Sequence, residues 1–176
     1  MAIKLFFDME FTGLHRKTTP ISIGIISEYG RTFYAEFSYY DTSQVDDWIK
    51  ENVISNLRFG GTMSIPKIDL EHHAMCGNMT QVTESLIEWL EQFESIEMWS
   101  DCLAYDWVLF CGLFGGALNI PKSIYYIPFD LSTAFKMKCI DPDVNREEYS
   151  EIKEGAKHNA LHDAKVIRAC FMKLIS

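Results

Sequence analysis

What the chain lacks narrows its role first. None of its 176 residues fall in an apolar run long enough to cross a bilayer, and its opening residues lack the charged, apolar and small-residue succession of a secretory leader. A membrane role is therefore not expected. No two of the five cysteines (Cys76, Cys102, Cys111, Cys139 and Cys170) form a C-x-x-C pair, and their number is odd. That fits free thiols in a reducing cytoplasm better than a disulfide framework. Positive charge is in short supply: 16 Lys and Arg stand against 25 Asp and Glu, for a net charge of −9. A protein that grips a duplex by neutralising phosphates should be basic, so that class is excluded. An acidic enzyme that meets nucleic acid through bound cations is not. Repeats, low-complexity tracts and long linkers are absent too, and residues 1–176 are expected to form a single domain with a sizeable core.

What is present alternates between strand and helix patterns. "MAIKLFFDME" reads as a strand, with Ile3, Leu5, Phe7 and Met9 on one face and Lys4, Phe6, Asp8 and Glu10 on the other. "PISIGIISEYGRTFYAEFSYY" reads as a hairpin turning at Glu28-Tyr29-Gly30. "SQVDDWIKENVI" suggests a short helix, and the stretch from Asn56 to Asn78 an irregular connection. Val82, Leu86, Trp89, Leu90 and Phe93 have helical spacing. "IEMWS" predicts a short buried strand that runs into a helix ending at Gly115-Gly116. A partly extended "IYYIPFD" precedes a helix over Leu131 to Lys138, then an acidic loop, then a last helix in "HNALHDAKVIRACFMKLI". The expected fold is α/β, a mixed central sheet flanked by helices.

The first strand raises a chemical question. Residues i and i+2 of a strand share a face about 7 Å apart, so Asp8 and Glu10 point the same way. Burial and mutual repulsion would force a proton onto at least one of them. A hard divalent cation removes the conflict, and two such cations can clamp a phosphodiester undergoing displacement. An edge strand with a solvated face is the competing explanation. Asp106 in "AYDWVLF" falls in the first turn of an apolar helix after a strand, where it either complements the helix dipole or points back to the sheet end. Asp163 in "HNALHDAKVI" either pairs on the surface with Lys165 or Arg168 or joins the same site. His158 precedes Asp163 by five positions, about 140° around a continuous helix. The two converge only if His158 lies in the lead-in before the helix. A neutral imidazole there suits a base that activates water.

These motifs resemble those of the DEDDh 3′–5′ exonucleases, the RNase T and proofreading-exonuclease group with the RNase H-like fold. "DMEFTGL" is similar to their D-x-E-x-T-G-L first motif, "WSDCLAYDWVLF" to their second, and "HNALHDA" to the H-x-A-x-x-D third. Trp99, seven residues before Asp106, is similar to the exodeoxyribonuclease VIII and phage branch, and the short length to the small bacterial or phage exoribonucleases. The resemblance implies two divalent cations, Mg²⁺ or Mn²⁺. Asp8 would bridge both, Glu10 and Asp163 would hold the first and Asp106 the second, with His158 as general base. It also implies substrate contacts at Phe11, Thr12, Gly13, Leu14 and Tyr105. The chain departs from many relatives in carrying Asp101 and Cys102 where they have His-Asn.

The implied substrate is the 3′ end of single-stranded RNA or DNA, RNA slightly favoured, with nucleoside 5′-monophosphates as products. An exodeoxyribonuclease, a non-catalytic nucleic-acid-binding domain and a hydrolase of free nucleotides or short oligomers are the alternatives. Arg16, Lys17 and Lys157 could meet phosphates or simply face solvent. His72, His73 and Cys76 look like half a zinc site without its second pair. The aromatic-rich helices leave room for a homodimer without demanding one.

Overall fold

A computed structural model describes residues 2–176. Six strands, β1 (Ile3–Phe11), β2 (Pro20–Ser27), β3 (Thr32–Phe37), β4 (His72–Gly77), β5 (Ile96–Ser100) and β6 (Phe129–Asp130), form one mixed sheet in the order β4-β3-β2-β1-β5-β6. β1, β2 and β3 are an antiparallel meander, and β4, β5 and β6 each pair in parallel. The helices are α1 (Asp47–Asn52), α2 (Met79–Leu90), α3 (Ala104–Leu113), α4 (Leu131–Met137), α5 (Arg146–Ser150) and α6 (Ala160–Ile175). Among the described residues no helix is long and apolar enough to cross a membrane.

Strand alternation sorts β1 between two cores. Leu5, Phe7 and Met9 join Val82, Leu86 and Trp89 of α2 and Phe110 of α3 on one side of the sheet. Phe6 turns to the other side, against Phe135 of α4 and Phe171 of α6, its ring centroid 5.2 Å from that of Phe171. Asp8 and Glu10 continue the Phe6 face, so the carboxylates emerge where α6 covers the sheet. Gly24 of β2 lies opposite Asp8 in the ladder, and a Cβ there would collide with the backbone of Ala160 and Leu161. A bare backbone at this position lets the first turn of α6 settle directly on the sheet.

Two stretches differ from the sequence reading, and two are narrowed by the structure. The supposedly irregular Asn56–Asn78 stretch contains β4, which pairs in register with β3 and bridges Ser64 to Cys76. The "IYYIPFD" stretch is extended only at an Ile96–Ile124 bridge and at β6. The acidic loop holds α5, capped by the Asn145 side chain, which accepts the backbone N–H groups of Glu147 and Glu148 at 3.1 Å each. The "SQVDDWIKENVI" helix is confined to α1, between short 3₁₀ turns at Thr42–Gln44 and Ile54–Asn56.

Candidate active site

The end of β1 is the floor of the site. The β1–β2 register shifts between Glu10, opposite Ser22, and Phe11, opposite Pro20, so the antiparallel pair ends in a bulge just beyond the acids. Asp106 lies in the first turn of α3 and reaches back to the strand, where its Oδ1 accepts the backbone N–H of Met9 at 2.9 Å. That bond fixes it beside Asp8 and Glu10. Asp163 lies in the first turn of α6, whose N-cap Asn159 accepts the His162 N–H at 3.2 Å. Asp163 pairs with neither Lys165 nor Arg168; Arg168 instead donates to the Glu28 carbonyl at 2.7 Å. His158 precedes the helix with φ of +63°, and its backbone N–H donates to Asp163 Oδ2 at 2.9 Å. This left-handed turn removes the 140° separation of a continuous helix. One ligand atom from each of Glu10, His158 and Asp163 lies within 4.8 Å of the others.

Proximity of like charges sets the electrostatics. Burial, then the neighbouring charges of Asp106, Glu10, Asp163 and Asp101, holds the Asp8 carboxyl well above the usual carboxylate range. Burial, with Asp163 and Asp106 nearby, pushes Glu10 up to about 8. Burial pushes Asp106 to about 6 against the opposing Met9 N–H bond, and Asp163 to about 6 against nearby His162. A group of acids that resists ionising together is suited to divalent cations, whose charge offsets the repulsion. Burial and adjacent Lys157 lower the pKa of His158, which favours a neutral imidazole near pH 7.

The acids open into a cleft of about 820 Å³ whose walls come from the loop after β1, from α1 and from residues 142–147. Phe11, Gly13 and Leu14 line it, and Leu14 is 77% exposed. Phe11 also packs on the core and stacks on Tyr105 at 5.7 Å. Thr12 and Tyr105 lie behind the wall. The Thr12 hydroxyl is buried, donating to Gln44 Oε1 at 2.6 Å and accepting the Thr19 N–H at 2.9 Å, and so holds the loop after β1. Lys157 lines the cleft, whereas Arg16 and Lys17 are exposed on the loop. On β4, His73 and Cys76 are buried, and with His72 they form no metal-holding group among the described residues.

Two features of the cleft escaped the sequence reading. Asp101 is clamped by Arg146, whose Nε donates to Oδ2 at 2.7 Å and Nη2 to Oδ1 at 3.1 Å, while Ser132 donates to Oδ1 at 2.6 Å. Arg146 also donates to the Pro142 carbonyl at 2.6 Å, tying that wall to the end of β5. This is what occupies the place of His-Asn. The second is Trp48 of α1, 53% exposed, which sits against His158. Only the aromatic character of Trp48 in a polar stretch could have flagged it.

Residues 3–175 match the family of 3′–5′ exoribonuclease Rv2179c-like domains. The chain belongs to this family. Two curated relatives, the 3′–5′ exoribonucleases Rv2179c and MT2234.1 of two Mycobacterium tuberculosis strains, are each 27% identical over 124 residues, which span 69% of this chain and 67% of theirs. The catalytic unit of Neurospora crassa Pan2, with protease and nuclease domains, superposes with a TM-score of 0.53 at 12% identity. The match covers 97% of this chain and 26% of that one, so the chain spans about a quarter of the Pan2 unit. That likeness concerns the fold: the Rv2179c-like domain is a layered α/β domain of RNase H-like type.

Proposed function

We propose that this 3′–5′ exonuclease acts on the 3′ ends of single-stranded nucleic acid, RNA slightly favoured over DNA, and releases nucleoside 5′-monophosphates. Residues 1–176 act as a single domain, in the cytoplasm. One observation carries the reading: four carboxylates from β1, α3 and α6 gather at the floor of one cleft beside an imidazole.

Asp8, Glu10 and Asp163 would hold one divalent cation, and Asp8 with Asp106 a second. Mg²⁺ or Mn²⁺ held there would supply positive charge to offset the negative charge developing on the phosphodiester oxygens. His158, neutral near pH 7, accepts the proton of the attacking water. Asp163 holds the His158 backbone through its Oδ2 and so links the acid set to the base. Leu14 and Phe11 give the terminal bases an apolar, sequence-tolerant surface. The structure favours a role for Lys157 near a phosphate, since it lines the cleft beside His158.

The test follows 3′-terminal release from matched end-labelled RNA and DNA oligomers with Mg²⁺ or Mn²⁺. Asp8→Asn is expected to abolish turnover, and His158→Ala to cost about 10²–10⁴-fold. Normal turnover by Asp8→Asn, or intact RNA and DNA under all conditions, overturns the reading. Sedimentation velocity on the same preparation reads out whether two copies pair.

A further inference from the structure

His158 is held in an unusual way. Its backbone is in the left-handed region at φ +63°, which a residue with a Cβ adopts only where its surroundings enforce it. Its imidazole makes no hydrogen bond among the described residues, although a general base is ordinarily oriented by one. Two residues of a distant segment, Asn56 and Trp48, hold it and its neighbours instead. Asn56, at the end of the Ile54–Asn56 turn, donates from Nδ2 to the Lys157 carbonyl at 2.9 Å. Its own carbonyl accepts from Asn159 Nδ2 at 3.0 Å. The residues on either side of His158 are thus pinned to one asparagine. Trp48, on α1 immediately before that turn, sets its ring against the imidazole, with centroids 4.9 Å apart and planes at 72°.

The supporting segment is itself firmly seated. Asp46 caps α1 by accepting the Ile49 N–H at 2.8 Å, and Ile49 and Val53 pack with Ile21 of β2 beside the bulge. Asn56 Nδ2 also donates to the Asn52 carbonyl at 2.6 Å, fixing its own rotamer. By contrast, the approach to His158 from the C-terminal side of α5 is exposed and includes Gly155 at φ +129°. Left to that approach alone, the imidazole would have no fixed direction.

We infer that Asn56 and Trp48 are positioning residues that hold the His158 imidazole toward Glu10 and Asp163. The inference rests on His158 being the general base. Asn56 fixes the backbone on both sides of the histidine, and Trp48 fixes the ring. Asn56 lies outside the cleft lining and Trp48 meets the cleft against the His158 ring, so both are assigned to act through His158. A base displaced by about 1 Å loses up to about 10²-fold in rate.

A double-mutant cycle tests this. Asn56→Ala and Trp48→Leu are each made in the wild type and in His158→Ala, and kcat and KM are measured on a short single-stranded RNA with Mn²⁺. Each single variant is expected to lower kcat about ten- to a hundredfold with KM little changed. In the His158→Ala background neither should lower kcat further. In the cation-free protein, amide exchange at His158 and Asn159 should quicken at least about tenfold in Asn56→Ala, while exchange in β1 stays as it was. A cost that persists undiminished without His158, or an effect of Trp48→Leu confined to KM, overturns the inference, because the residues would then act on substrate or on stability. So does full activity of both variants where His158→Ala is impaired. If His158→Ala itself retains full turnover, the general-base assignment fails instead, a distinct result.

Discussion

Without a cation, Asp8 faces Asp106, Glu10 and Asp163 at the floor of the cleft, and all four carboxyls keep their protons to higher pH than usual. In the unfolded chain they would titrate near their ordinary values of 3.8 and 4.5. The folded chain therefore binds more protons from about pH 4 to about pH 8, and its stability falls as pH rises through that window. The thermal midpoint of chelator-treated protein should drop between about pH 5 and pH 8, and added Mg²⁺ or Mn²⁺ should raise it more at the higher pH, where the ligands are ionised. A midpoint that climbs with pH would contradict the crowding of these acids. Asp8→Asn should stabilise the cation-free protein at about pH 8, by about 2–4 °C for each kcal/mol of repulsion relieved, while removing turnover. At this scale the sequence was informative where chemistry is local. Alternation put Asp8 and Glu10 on one face, and the glycine before His158 allowed a turn ahead of α6. Arg146 on Asp101 and Trp48 on His158 were illegible, because each joins positions that only the folded chain brings together.

Elements were legible in proportion to their length and periodicity. α2 and α6 bury regular apolar faces, and the strands of the meander alternate or run wholly buried. β4 reads as "HHAMCG", polar at its start and preceded by glycines and a proline, and becomes a strand through pairing with β3. α5 has five residues and depends on the Asn145 cap and on packing against α6. Gly24 shows how one element sets another in place. Gly24→Ala would press a methyl group into the backbone at the start of α6, which carries Asp163 two residues beyond Leu161. It should cost about 1–3 kcal/mol in chemical denaturation, as overpacking does, and lower turnover beyond that by shifting Asp163 from the other acids. Unchanged turnover in a destabilised Gly24→Ala protein would mean that α6 tilts about its first turn without moving the carboxylate.

The net charge of −9 bears on the molecule as a whole. With few basic side chains to displace counterions from a strand, attraction to the phosphates must come mainly from cations in the cleft. The logarithm of kcat/KM against the logarithm of monovalent salt should therefore fall with a slope shallower than about −2. A slope steeper than about −4 would reveal a basic track outside the cleft. The α/β class and the gathering of the acids were legible because motif order and strand alternation survive in one dimension. The cleft walls were not, being assembled from α1, the 142–147 segment and the loop after β1. The acids themselves come from the first strand, from α3 and from the last helix. A chain ending before α6 carries Asp8, Glu10 and Asp106 but lacks Asp163 and its bond to the His158 backbone, which arrive only as α6 docks on Gly24. The set of carboxylates is therefore incomplete in any chain that lacks α6.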